Sequence, residues 1–229
     1  MITKPWENRQ GLIKAGLVLD TRGLQPGKET GGTTDMIIVL GARSGTSVLF
    51  RCLERTGLHG DSSCYRVKNN DSEHRQFRVI NIRLRRSSHP ASLIPVAKGL
   101  WSDMLNRGVQ IIKEPHFVWV WSMWFEAVPD FRTYQYIHMK RAIGDQAHSL
   151  LKHQTLQGYK NRSIDKCYRY CQAMEAAIEA LLSQTPHHLV VAFDEFVSLR
   201  GIGQISAFIG QDLDTSLIDR GQVSRYATG

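Results

Sequence analysis

Residues 36–47 read Met36-Ile-Ile-Val-Leu40-Gly41-Ala-Arg-Ser-Gly-Thr-Ser47, and the fold turns on them. The first five are apolar without interruption, the pattern of a strand buried on both faces, as in a parallel sheet. The next seven hold two glycines, one arginine and three hydroxyl side chains. Val48, Leu49 and Leu53 then recur at helical spacing, and Gly57 ends the helix. The order is strand, glycine-bearing turn, helix.

That order with that composition predicts an anion cradle. Gly41 and Gly45 let the backbone turn tightly and approach a ligand. A helix starting near Thr46 aims its unpaired N–H groups and the positive end of its dipole into the turn. Thr46 and Ser47 add hydroxyl donors, and Arg43 adds a charge that can fork onto two oxygens. The competing reading is an ordinary turn whose Ser and Thr only cap the helix. The Walker A pattern, Gly-x-x-x-x-Gly-Lys-Ser/Thr, is not met, because Thr46 follows Gly45 and the positive side chain precedes Ser44. The absent lysine argues against a nucleotide hydrolase, which uses it on the β and γ phosphates.

Outward from this segment the same alternation continues. Val109-Gln-Ile-Ile-Lys113, residues 133–140 and Leu189-Val-Val-Ala-Phe193 read as further strands. Residues 91–106, 116–127 (stopped near Pro129), 142–153, 203–209 and a long stretch to about 183 capped by Ser163 read as helices. Strands alternating with helices predict an α/β fold of three layers, a parallel sheet flanked by helices. Residues 59–90 read as polar and irregular, with a basic cluster at Arg75, Arg78, Arg83, Arg85 and Arg86. Residues 1–35, punctuated by glycines and Pro26, read as an N-terminal extension to a domain at 36–229.

The chain has 229 residues and a formal net charge of +8, so it can bury a real core and favours an anionic partner. Cys52, Cys64, Cys167 and Cys171 include no Cys-x-x-Cys pair, so buried reduced thiols are expected rather than a zinc site. No signal peptide or apolar run of membrane-span length is read, and a soluble, cytoplasmic protein is expected.

Ala42-Arg-Ser-Gly-Thr-Ser47 resembles the donor loop of sulfotransferases that use 3'-phosphoadenosine 5'-phosphosulfate (PAPS), Pro-Lys/Arg-Ser-Gly-Thr-Thr/Ser after the first strand. A second match is a strand ending in Arg141 with Ser149 eight residues on and Asp145 between. Weaker ones are Ile112-Lys113-Glu114-Pro115, and Val191-Ala-Phe-Asp-Glu-Phe-Val197 followed by residues 205–210. The resemblance spans about residues 36–212 and implies a P-loop-like sulfotransferase architecture. It implies that Gly41, Arg43, Ser44, Gly45, Thr46 and Ser47 hold the donor's 5'-phosphosulfate, and that Arg141 and Ser149 hold its 3'-phosphate. The donor would be PAPS, the product adenosine 3',5'-bisphosphate (PAP), with no metal, and the acceptor a hydroxyl or amine on a small molecule or glycan. The chain departs from the family at Val48, where cytosolic members carry Trp, and at Ala142, where Asp or Asn is usual. It also lacks a clear counterpart of their basic C-terminal segment.

In such a transfer Arg43 would stabilise charge on the leaving bridge, with Lys113 sharing that duty. The proton of the acceptor falls to Glu114 or His116. His116 is preferred because histidine ordinarily titrates near working pH, although it could instead only cap the helix. Glu114 could alternatively pair with Lys113 or Arg141. The aromatic stretch Phe117, Trp119, Trp121, Trp124 and Phe125 is expected to be mostly core. The arginine cluster could hold an acidic acceptor such as a glycan, but is expected to be a solvated, mobile loop. A kinase or ATPase, supported by an apolar strand running into Asp194-Glu195, and a nucleic-acid-binding module, supported by charge alone, are the rivals.

Overall fold

The structure, a computed structural model, describes residues 36–60, 74–156 and 163–218. The expected extension at 1–35, and Cys64, lie outside these residues. Four strands, β1 (Ile37–Leu40), β2 (Ile111–Lys113), β3 (Gln135–Lys140) and β4 (His188–Ala192), form one sheet in the order β2-β1-β3-β4. All pairings are parallel: Val39 lies opposite Lys113 and Ile137, Leu40 opposite His138, and Lys140 opposite Ala192. The α/β parallel-sheet reading therefore holds.

The uninterrupted apolar run of β1 has a direct physical use. Successive strand side chains point to opposite faces. Ile38 and Leu40 enter one core with Ile112 and Tyr136, while Ile37 and Val39 enter the other with Ile111 and Ile137. The first face is covered by α2 (Arg75–Arg86), α3 (Ile94–Asn106), α4 (Trp121–Ala127) and α6 (Ile164–Leu182). The second is covered by α1 (Thr46–Arg55), α7 (Phe193–Val197) and α8 (Ile202–Ile209). The remaining helix, α5 (Ile143–Leu156), packs on α6 around Ala147, Cys167 and Cys171.

Most of the aromatic stretch is core. Phe77, Trp101, Phe117, Trp124, Phe131 and Tyr134 form edge-to-face and stacked contacts, with ring centroids 5.1–5.5 Å apart in pairs such as Phe117–Trp124 and Trp101–Tyr134. The Trp124 indole donates to Asn81 at 2.7 Å, and Tyr136 donates to the Phe131 carbonyl. Burial raises the thiols of Cys52 and Cys171 to about 11, which keeps them protonated and unreactive.

Two readings are corrected. Residues 75–86 form a helix, not an irregular loop: Phe77, Ile80 and Leu84 supply an apolar face that buries against the core. Phe193 ends the apolar run in sequence but begins α7, because the pairing of β4 with β3 stops at Ala192.

The chain also carries a buried hydrogen-bonded pair that fastens α6 to the sheet. His138 Nε2 donates to Glu175 Oε1 at 2.8 Å, and Lys140 Nζ lies 3.6 Å from the same oxygen. Burial pulls the Glu175 carboxyl upward, but the His138 hydrogen bond and charge, helped by Lys140, outweigh it and leave it below 4.5. A depressed carboxyl stabilises the fold above its unfolded value and loses that contribution as pH falls through its folded value. Glu175→Gln is therefore expected to cost about 1–3 kcal/mol at pH 7. Denaturant titration should show the gap to the parent closing as pH drops below 4.5. A gap constant with pH would mean that the pair is not ionised.

Among the described residues no helix is long and apolar enough to cross a membrane, and no group of three or more His, Cys, Asp or Glu side chains could hold a metal ion.

Candidate active site

The carboxyl ends of the parallel strands release their loops along one edge, where β1 has β2 on one side and β3 on the other. That switch in direction opens a crevice, the usual ligand position in an open α/β sheet. The loop 41–45 leaves β1 there and enters α1. Gly45, the residue preceding α1, has φ 82° and offers the helix no side-chain cap. The first amides to reach a helix carbonyl are those of Val48 and Leu49, both bonded to the Gly45 oxygen. The N–H groups ahead of them have no intrahelical acceptor.

Both glycines are required by close approach. A Cβ on Gly41 (φ 124°) would stand 2.5 Å from Ser44 Oγ, and one on Gly45 would stand 2.7 Å from the Phe193 ring. Arg43 itself holds a left-handed φ of 57°, a conformation that costs an L-residue roughly 1–2 kcal/mol. Such strain, once observed, points to a functional constraint on the loop. Ser44 is fully buried, and its Oγ meets no hydrogen-bond partner among the described residues. A tight backbone cradle, an uncapped helix start and an orphaned hydroxyl together suit an anionic ligand.

Two of the sequence-predicted residues outside the loop, Lys113 and Ser149, bond to it. Lys113, 4% exposed at the end of β2, donates to Ser47 Oγ at 2.9 Å. Arg43 Nε donates to Ser149 Oγ on α5 at 3.2 Å, which joins the two predicted phosphate positions. Thr46 turns its hydroxyl back to the Gly41 carbonyl at 3.3 Å. Arg141, at the end of β3, sets its guanidinium 4.6 Å from the Phe193 ring centroid and its Nε 3.8 Å from Asp145. Sequence reading missed Phe193 as a site residue: its ring touches Gly45 on one side and Arg141 on the other. The signal was an aromatic directly after an apolar strand, but only the sheet pairing shows where it lands. A cavity of about 510 Å3 opens beside it, walled by Lys140, Arg141, Ala142, Glu175 and Asp194.

Glu114 pairs with His116, not with Lys113 or Arg141 as the alternative reading had it. His116 Nδ1 lies 2.6 Å from Glu114 Oε1, which also accepts the His116 backbone N–H at 3.0 Å. Glu114 is fully buried and the His116 side chain is 20% exposed. With Glu114 ionised, its carboxylate only accepts, so Nδ1 carries the proton and Nε2 is left as the acceptor of the neutral ring. His116 also occupies the first turn of the 3-10 segment Pro115–Trp119, and Glu114 serves as that turn's cap.

Solved structures share this fold. The sulfotransferase domain from the curacin biosynthetic pathway superposes with a TM-score of 0.53 at 15% identity, covering 80% of this chain and 76% of that one. The chain has a sulfotransferase fold. The sulfotransferase domain from the Synechococcus PCC 7002 olefin synthase agrees, with a TM-score of 0.51 at 14% identity, covering 90% of this chain and 92% of that one. No protein-family model and no curated protein matches the chain. Within the sulfotransferase fold, the loop 41–47, Lys113, Glu114 and Arg141 all sit at the carboxyl edge of the sheet, where β1, β2 and β3 deliver them.

Proposed function

We propose that the protein is a sulfotransferase that moves a sulfuryl group from PAPS to a hydroxyl or amine acceptor. The observation that carries the proposal is the loop between β1 and α1: two glycines locked by close contacts, an orphaned buried hydroxyl, and Arg43 reaching across to Ser149. In this reading the loop amides with Ser44, Thr46 and Ser47 hold the 5'-phosphosulfate. Arg141 and Ser149 hold the 3'-phosphate, and the cavity beside Arg141 is within the range that takes a nucleotide-sized ligand.

The acceptor oxygen attacks sulfur, an O–S bond forms, and the S–O bond to the 5'-phosphate breaks in line with it. Charge builds on the leaving phosphate, where Arg43 and Lys113 stand ready as fixed cations. The acceptor's proton goes to His116 Nε2, and buried Glu114 holds the ring in the required tautomer and stabilises the imidazolium formed. Transfer of this kind asks the protein for positioning and charge rather than covalent chemistry.

Calorimetric titration tests the class. PAP is expected to bind with chelator present, and ATP with magnesium to bind at least about tenfold more weakly, a difference of about 1.4 kcal/mol. Tighter binding of magnesium ATP would overturn the reading in favour of a kinase or ATPase.

A further inference from the structure

We infer that residues 12–19 of this same chain dock on the open face of β4, beside α6. The inference does not depend on the donor reading. Strand β4 reads His188-Leu-Val-Val-Ala192, apolar after its first residue. In a parallel strand such a run suits burial on both faces. Only one face receives it. Leu189 and Val191 enter the core under α7 and α8, where Val191 is fully buried. His188, Val190 and Ala192 turn to the other face and are exposed. At 43%, Val190 is the most exposed large apolar residue among those described.

The register shows where the cover ends. His138 and Lys140 of β3 stand opposite Val190 and Ala192 on this face. Helix α6 covers β3 through Glu175, which bonds His138. Beyond that contact a groove of about 300 Å3 lies between α6 and β4, walled by His138, Lys140, Glu179, Leu182, His188 and Val190. Lys140 and Glu179, 3.2 Å apart, line both this groove and the cavity beside Arg141, so they divide the two. In the order β2-β1-β3-β4 the far edge of β4 also meets no strand among the described residues.

The chain itself supplies an occupant that begins at the right edge. Residues 12–19 read Leu-Ile-Lys-Ala-Gly-Leu-Val-Leu, mostly large aliphatic side chains. Residues 20–35 join them to Met36, just before β1. The Met36 carbonyl accepts the Gln135 amide, and the His187 carbonyl accepts the Tyr136 amide, so the amino ends of β1, β3 and β4 lie side by side. At about 4.8 Å per strand, β4 starts roughly 10 Å from β1. Residues 20–35 can span on the order of 50 Å when extended, so the reach is ample. The other stretches outside the described residues fit poorly. None of 61–73, 157–162 and 219–229 holds more than one large aliphatic residue. The last of them also follows Ile218, which is buried on the opposite side of the sheet. Docking of 12–19 would remove Val190 and its own leucines from water together, the usual driving force for such a contact.

The test uses the full chain. In one arm the photo-crosslinking residue benzoylphenylalanine replaces Val190, an exposed position that leaves the core untouched. Illumination is expected to give an intrachain product whose peptides map to residues 12–19. Product that maps elsewhere in the chain, forms only between chains, or does not form overturns the inference; product between chains would place a second copy on this face. A second arm leaves the groove intact and reads amide hydrogen exchange in the combined variant Leu12→Ser, Leu17→Ser, Leu19→Ser. Exchange at residues 188–192 should speed up by about tenfold or more over the parent, while residues 37–40, in the centre of the sheet, keep the parent's rates. Unchanged exchange at 188–192 overturns the inference. Equal acceleration at 37–40 overturns it too, because residues 12–19 would then support the whole fold rather than this face.

Discussion

Arg43→Ala is expected to lower kcat by about 10²–10³-fold, the loss seen when one preorganised donor to developing charge is removed, about 2.7–4 kcal/mol. The fold should survive. Alanine at φ 57° meets the same left-handed penalty as arginine, so the backbone gains no new strain. The lost hydrogen bond to Ser149 is only partly buried, and is worth roughly 0.5–1.5 kcal/mol. Arg43→Lys separates charge from geometry: it keeps a cation but loses the planar fork, and should recover most of the rate. Single-turnover measurement with PAPS, alongside a thermal unfolding curve, reads both quantities. Turnover within threefold of the parent in the alanine variant would remove Arg43 from the chemistry.

His116→Asn should cost about 10²–10⁴-fold in kcat, the range for a positioned general base. Asparagine can place an N–H near the position of the imidazole Nδ1 and keep the hydrogen bond to Glu114, while nothing replaces Nε2. Glu114→Gln makes the complementary change, since its amide oxygen still accepts but no longer offsets an imidazolium. If His116 is the base, the asparagine variant is the slower of the two. A slower Glu114→Gln enzyme would transfer the role to the carboxylate. PAP affinity, measured in parallel, should be retained in both variants, because neither side chain belongs to the phosphate cradle.

Lys113 and Arg141 come to the site edge from different strands, and the sheet is what collects them. Lys113 ends β2 opposite Val39, and Arg141 follows β3, whose partner in β1 is Leu40 at His138. Parallel pairing in this register brings each strand's last polar residue to the same edge. The buried pair of His138 and Glu175 then fixes α6 against β3, immediately before Lys140 and Arg141.

The sequence by itself determined a good deal. An unbroken apolar run can satisfy two cores only if both faces of its strand are covered, so residues 36–40 already required a three-layer arrangement. The glycines of 41–47 required a tight loop, because their demands are met within a few neighbouring residues. Ser163 capping α6 was legible for the same reason: its oxygen accepts the Lys166 amide three residues away.

Tertiary structure decided what depends on residues distant in the chain. The arginines of 75–86 outweighed Phe77, Ile80 and Leu84 in a local reading, and only a surface to bury those three against turned the segment into a helix. Phe193 needed β4 to stop at Ala192 before its ring could reach Gly45, 148 positions earlier in the chain. Arg43 found Ser149 across 106 positions. Spacing along the chain carries no information about such encounters, because they are set by how the sheet and its covering helices pack.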